Sequence, residues 1–358
     1  MEFGLRSVII VLVNLLPDID VSGKRVFVRA DLDVPLDHSR RVGNKEQDNN
    51  HESLETSTRL VGIKPTIDYL RGKGARQIII AGKIGRPKGR RDPSLSTLRI
   101  KGALEKILDI EIAFCDDVDS QPLGDVVLLE NMHFWPEELE PSEDFAKKLA
   151  ALADVYVNEN FASAHRNETS VSLLPRYLPH AAGLHLQKEV EELSKLLKNP
   201  QRPFVAIVGG AKIETKVPVI SNLVKVVDWV VVGGELPIEI TKNGSKYQQN
   251  VVISVLTDNQ KDISDSSMIQ IIELIKKAKT VVWNGPMGRF EEGFEKGTLA
   301  VADAIIESGA YSVVGGGETT EFLASKNLLS RFSFVSSGGG AMLQFLAGKE
   351  LPGIRALE

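Results

Sequence analysis

The chain has 358 residues, 42% hydrophobic and 25% charged, a length that suits two domains of roughly 150–200 residues each. Its net charge of −5 offers no global basic field for nucleic acid, so an anion-binding site must be a local cluster of cations. One cysteine, Cys115, excludes an internal disulfide framework or a cysteine zinc site, and fits a reducing cytoplasm.

In chain order, the first feature is the apolar run at 8–16, broken by Asn14. It is too short to span a bilayer. One arginine, Arg6, precedes it and no small-residue cleavage site follows, so we expect a first strand or helix rather than a signal peptide, and a miscalled start codon stays open. Short β-branched runs then recur at 25–29, 77–81, 126–129, 154–157, 204–208, 229–232, 280–283, 312–314 and 332–335, with a weaker one at 251–256. Most are continuously apolar rather than alternating. Strands buried on both faces read this way, so the pattern predicts parallel sheets covered by helices, an α/β fold. Residues 37–57, with Arg40, Arg41, Asn44, Asn49 and Asn50, read as a long polar loop before a helix starting near Thr58. At 186–198, Leu186, Val190, Leu193 and Leu197 make one apolar stripe opposite charged residues, and Pro200 and Pro203 stop the helix. Its position at the chain's midpoint makes it the expected connector between domains, an ordinary crossover helix being the alternative. Residues 242–267 are again polar.

Unusual residues gather where strands end, which is where open α/β sheets bind ligands. In the first half the ends carry Asp31-Leu32-Asp33-Val34-Pro35, Gly82-Lys83-Ile84-Gly85-Arg86-Pro87, Glu130-Asn131-Met132-His133-Phe134 and Ala164-His165-Arg166. With Arg59 from the following helix, Lys83, Arg86, His133 and Arg166 suit a small multiply charged phosphate or carboxylate, since guanidinium groups bind such oxygens bidentately. In the second half, Gly209-Gly210-Ala211-Lys212 follows a strand and opens a helix, with Lys216 one turn on. Trp283-Asn284-Gly285-Pro286-Met287-Gly288, Gly315-Gly316-Gly317-Glu318-Thr319-Thr320 and Ser336-Ser337-Gly338-Gly339-Gly340 end three more strands. Glycines let backbone N–H groups approach phosphate oxygens, and a helix start adds positive potential. Glu318 beside such a loop suits an inner or outer ligand of a magnesium–phosphate complex. A P-loop signature is absent, and no G-x-G-x-x-G follows the first strand, which weakens a dinucleotide oxidoreductase reading.

From about Gly23 to the C-terminus, in order, these motifs resemble phosphoglycerate kinase. The resemblance implies two Rossmann-like α/β/α lobes that close on each other: an N-terminal lobe at 1–185 for 3-phosphoglycerate or 1,3-bisphosphoglycerate, a helix at 186–200, and a C-terminal lobe at 201–340 for Mg-ADP or Mg-ATP. It also implies that a tail at about 341–358 returns to the first lobe, and that the chain is a cytoplasmic monomer binding neither nucleic acid nor membrane. Asp31, Arg59, Arg86 and Arg166 match substrate-binding positions, Lys212 the lysine that steadies the transferring phosphoryl group, and Lys216 a nucleotide-phosphate contact. Gly210 and Asn284 fall in nucleotide loops, Glu291 matches the ribose ligand, and Gly316, Gly317 and Thr319 match the phosphate loop. The implied chemistry is in-line phosphoryl transfer, with Arg59 and Lys212 as transition-state stabilisers and Mg²⁺ linked to Glu318 through nucleotide phosphates.

Several positions depart from the family pattern. Asp33 stands for Asn, Lys83 for His, His133 for Arg and Glu318 for Asp. Glu235-Leu236-Pro237 replaces the segment after Gly233-Gly234, and Ser264-Asp265 stand for Gly-Pro. The second lobe is short between 242 and 267, where part of the adenine pocket belongs. Asp33 is read as substrate-facing or as a turn residue, and His133 as a ligand or a spectator. The alternative function is a paralog with lost or altered activity that binds nucleotide or regulates.

Overall fold

The computed structural model describes residues 13–36, 54–242 and 249–358. The polar loop's Arg40, Arg41, Asn44, Asn49 and Asn50 and most of the N-terminal apolar run lie outside them. The chain divides into two compact units. The first holds the described residues up to Glu191 together with Glu350–Glu358, and the second holds Glu192–Lys349. The helix Leu184–Lys198 contains the boundary. The helix Gly339–Leu346 lies in the second unit, and Glu350–Glu358 cluster with the first.

The first unit is built on β1 (Arg25–Arg29), β2 (Gln77–Ala81), β3 (Ala113–Cys115), β4 (Val126–Leu129), β5 (Val155–Asn158) and β6 (His180–Ala182). They form one six-stranded sheet in the order β3-β4-β2-β1-β5-β6, every pair parallel. Val26, Phe27 and Val28 are wholly buried, so both faces of β1 are covered, as its unbroken apolar run requires. β3 and β6 are three-residue edge strands without such a run, and the sequence reading passed over both.

The second unit repeats the principle with β7 (Phe204–Val208), β8 (Trp229–Val232), β9 (Val251–Ile253), β10 (Thr280–Asn284), β11 (Tyr311–Gly315) and β12 (Phe334–Ser336). The order is β12-β11-β10-β7-β8-β9, again all parallel. The chain winds outward from β7 in one direction, then returns beside β7 to wind in the other. This doubly wound order opens a crevice between β7 and β10, where strand direction of travel reverses. Register makes the crevice sharp: Val208 pairs with Asn284, and Asn284 with Gly315, so the three glycine-rich loops leave the sheet level with one another. In the first unit, Arg29 is level with both Ala81 and Asn158, so the loops bearing Asp31, Lys83 and Arg166 start together. Among the described residues no helix is long and apolar enough to cross a membrane.

Candidate functional site

On the first unit, the loop after β1 supplies two carboxylates. Asp31 is nearly buried and accepts from Arg59 Nη1 at 2.9 and 2.8 Å. Asp33 accepts from the Gly85 N–H at 2.8 Å and pairs with the ammonium of Lys83. Burial alone would push the Asp33 carboxyl up, but the charge and hydrogen bond of Lys83, the Gly85 N–H and Arg59 together hold it below its ordinary value. Burial pulls Lys83 down, against the charge of Asp33. Arg86 is exposed at the end of the same loop. His133 is 2% exposed and its Nε2 lies 3.0 Å from Glu168 Oε1, the atom that also accepts from Arg166 Nη1 at 3.3 Å. Burial lowers the His133 pKa, with Glu168 opposing it. The loop holding Arg166 is tied down by the C-terminus: Gly353 N–H donates to Ala164 O at 2.8 Å, and Asn158 donates to Gly353 O at 3.3 Å.

On the second unit, the β7 and β10 loops interlock. Gly209 N–H donates to Asn284 O at 2.8 Å and Gly210 N–H to Pro286 O at 2.7 Å. Gly285 has φ +98°, and a Cβ there would lie 2.1 Å from Gly209 O, so no larger residue fits. Asn284 and Thr319 are buried and face inward: Asn284 donates to Gly315 O at 2.9 Å, and Thr319 Oγ1 accepts from Gly285 N–H at 2.8 Å. Lys216 is buried, donates to the Gly209 carbonyl and is pulled down to about 8 by burial. Lys212, just before the helix Ile213–Leu223, is largely exposed, 3.8 Å from Glu318 Oε1. Gly316 and Gly317 open the helix Gly317–Ser325. Beside these loops lies a cavity of about 110 Å³ lined by Gly210, Glu235, Arg289, Glu291 and Glu318 among others. Charge crosses its rim: Arg289 meets Glu235 at 2.9 Å and Glu292 at 3.1 Å, and Lys261 meets Glu292 at 2.7 Å.

The profile of the phosphoglycerate kinase family matches residues 16–253 and 237–349, both units. The chain belongs to the phosphoglycerate kinase family. Its relatives by name are phosphotransferases. It is 36% identical to phosphoglycerate kinase of Desulfosudis oleivorans, over 96% of this chain and 98% of that protein. It is 38% identical to that of Clostridium botulinum strain Langeland, over 95% and 97%. The solved phosphoglycerate kinase of Coxiella burnetii superposes with a TM-score of 0.77 at 31% identity, over 97% of this chain and 99% of that one. The crystal structure of the Pyrococcus horikoshii enzyme gives 0.79 at 28%, over 96% and 98%. The alignment to the Desulfosudis protein runs over 401 positions against 358 residues here, so relatives in the phosphoglycerate kinase family carry segments that this chain lacks. The two profile matches overlap at 237–253, beside the short polar stretch.

Within this family frame the first unit holds three contact groups, Arg59 with Asp31, Lys83 with Asp33, and His133 and Arg166 with Glu168, which feel one another's charge; Arg86 lies at the edge of the Lys83 loop. Gly210, Lys212, Lys216, Asn284, Gly316, Gly317, Glu318 and Thr319 lie on the loops at the β7–β10 crevice, and Glu291 lines the adjoining cavity. Two residues of the first site escaped the sequence reading. Arg29, fully buried at the end of β1, donates to Ser170 Oγ at 2.8 Å and to Glu168 Oε2 at 3.4 Å. Glu168 is 4% exposed and joins Arg29, His133 and Arg166. A charge at the buried end of a strand, and an acid two residues beyond a basic motif, were the available signals.

Proposed function

We propose that the chain catalyses reversible phosphoryl transfer between 1,3-bisphosphoglycerate and ADP, giving 3-phosphoglycerate and ATP. The observation that carries this reading is a family match over both units that includes, on each, the loops at the carboxyl ends of its strands. The first unit would hold the phosphoglycerate through Arg59, Lys83, Arg86, Arg166 and His133, with Asp31 aiming Arg59. The second would hold the nucleotide: Gly210, Gly316 and Gly317 leave backbone room for phosphates, Lys216 faces them from below, and Glu291 faces the ribose. Asn284 and Thr319 keep these loops in shape.

In the direction that makes ATP, an ADP oxygen attacks the acyl phosphate's phosphorus. The bond to the carboxyl oxygen breaks, and its electron pair leaves on the carboxylate. The attacking oxygen is already an anion, so no side-chain base is needed. Charge on the transferring group falls to Arg59 and Lys212. Mg²⁺ is implied by the family. Among the described residues no three acidic, histidine or cysteine side chains gather for a metal, and Glu318 stands as one carboxylate beside Lys212. Such a donor set fits Mg²⁺ carried on nucleotide phosphates, where the ion takes one or two protein carboxylates and neutralises phosphate charge. We read the enzyme as cytoplasmic, in keeping with its single cysteine, and as monomeric, as the family resemblance implies.

A coupled assay with Mg-ATP and 3-phosphoglycerate, alongside calorimetric titration of each, tests the reading. Turnover is the expected result. Nucleotide binding without turnover would assign the chain to a paralog of altered activity, and silence towards both ligands would sink the proposal.

A further inference from the structure

Three of the first unit's site cations are already partnered by carboxylates of the chain itself. Arg59 meets Asp31, Lys83 meets Asp33, and Arg166 meets Glu168. The third pair differs from the others. Asp31 and Asp33 sit on the same loop after β1, whereas Glu168 rises from behind the site. It precedes the one-turn helix Thr169–Leu173, and its backbone carbonyl accepts from Val171 and Ser172 N–H groups. Its backbone is therefore fixed in place. One carboxylate oxygen faces the buried Arg29, and the other is shared between His133 and Arg166. Arg166 is the exposed member of the group, with its side chain 30% accessible.

We propose that Glu168 is a specificity-determining residue of this chain, holding Arg166 partly neutralised and His133 hydrogen-bonded, and so weakening the face's grip on a multiply charged phospho-acid. The inference rests on the first unit being the phosphoglycerate site. An anion arriving at Arg166 meets a guanidinium that already has a carboxylate 3.3 Å away, and it also meets the field of that carboxylate. Because Glu168 is buried, solvent screens that field little. A purely structural acid would act differently. Its removal would loosen the loop that carries Arg166 and weaken ligand binding.

The two roles predict opposite signs for Glu168→Gln, which keeps shape and an oxygen for Arg29 while deleting the charge. Glu138 stays 4.0 Å from Arg29; burial pushes its carboxyl up to about 7 and Glu168 adds to the rise, so deleting the Glu168 charge favours the ionised form opposite Arg29. The KM for 3-phosphoglycerate and its calorimetric Kd are expected to fall by roughly three- to tenfold, as one like charge near a bound anion is removed at intermediate effective dielectric. Their salt dependence should steepen, and the KM for Mg-ATP should not move. In an Arg166→Gln background the same substitution should give a smaller gain, since only the direct repulsion between the carboxylate and the anion is then relieved. If Glu168→Gln folds poorly, Glu168→Asp retains the charge opposite Arg29 but draws it back from Arg166, and a smaller fall in KM is expected. A folded variant whose 3-phosphoglycerate affinity is unchanged or weaker overturns the inference. A parent chain that neither binds nor phosphorylates 3-phosphoglycerate overturns both the inference and the function beneath it.

Discussion

Lys216 allows stability and function to be set against each other in one substitution. Its ammonium is buried under the glycine loop, donates to the Gly209 carbonyl, and has its pKa pulled down to about 8 by burial, with Glu318 opposing and Lys212 adding to the effect. An unfolded lysine titrates near ~10.4. Between about pH 8 and that value the unfolded chain holds the extra proton, so this residue makes stability rise with pH through the window. Below pH 8 both states are protonated and the whole penalty stands. A drop from 10.5 to about 8 is about 2.5 units, or about 3 kcal/mol at ~1.36 kcal/mol per unit. Lys216→Met keeps most of the side-chain volume and removes the charge, while loss of the bond to Gly209 O costs about 1 kcal/mol. The variant is therefore expected to be about 2 kcal/mol more stable than the parent at pH 7 and about 1 kcal/mol less stable near pH 10.5. The chain has three tryptophans. Urea unfolding followed by fluorescence in a Trp135→Phe background leaves Trp229 and Trp283 to report the second unit. Activity should move the other way, with weaker Mg-nucleotide binding. A parent–variant difference that is the same at both pH values would refute the reasoning, because it would mean that Lys216 has an ordinary pKa in the folded state.

Three further substitutions test neighbouring links. Lys212 is 69% exposed, so Lys212→Ala should leave thermal stability unchanged and lower kcat by about 10²–10³ with little change in KM; an effect mainly on KM would remove it from the transition state. Asp33→Asn frees Lys83 and should lower the KM for 3-phosphoglycerate roughly three- to tenfold, whereas unchanged or weaker binding in titration would mean that the pair does not face the substrate. Gly285→Ala places a methyl 2.1 Å from Gly209 O and 2.6 Å from Lys216 Nζ at φ +98°; a loss of about 1–3 kcal/mol is expected from backbone strain, with nucleotide affinity falling while 3-phosphoglycerate affinity holds, and parental nucleotide affinity would contradict the interlocked loops.

The sheets were legible because a strand buried on both faces writes itself locally. The runs Val26-Phe27-Val28, Ile78-Ile79-Ile80 and Val230-Val231-Val232 need no distant partner to be recognised. The edge strands β3 and β6 were not, since three residues with one protected side leave too short a pattern. In the midpoint helix, Leu196 is 2% exposed and joins Leu186, Val190 and Leu193, while Leu197, expected on that stripe, is half-buried. The predicted stripe thus holds for three positions and drifts by one at the end, as a 3.6-residue period permits. Glycines at strand ends were legible for a similar reason: a positive φ or a close backbone approach restricts residue type at one position, whatever lies elsewhere.

Charge in the candidate site was legible only by half. The cations could be read as a cluster because strand-end loops converge, but their neutralisation could not. Lys83 and Asp33 are 50 residues apart, His133 and Glu168 are 35 apart, and Arg29 and Glu168 are 139 apart. Neither composition nor spacing encodes which acid reaches which base, because the pairing is made by register between strands and by the turn that sets Glu168 behind Arg166. Asp33, His133 and Glu168 therefore belong to one argument. Read singly, an acid for an amide and an imidazole for a guanidinium look like losses of binding power. In the fold they are halves of ion pairs and hydrogen bonds, so the first unit keeps its cations in place while carrying less net positive charge than its arginines and lysine suggest. If this face is the phosphoglycerate site, as proposed, it would bind its anion through directed N–H groups more than through bulk potential, and substrate affinity would turn on geometry at Arg59 and Arg166.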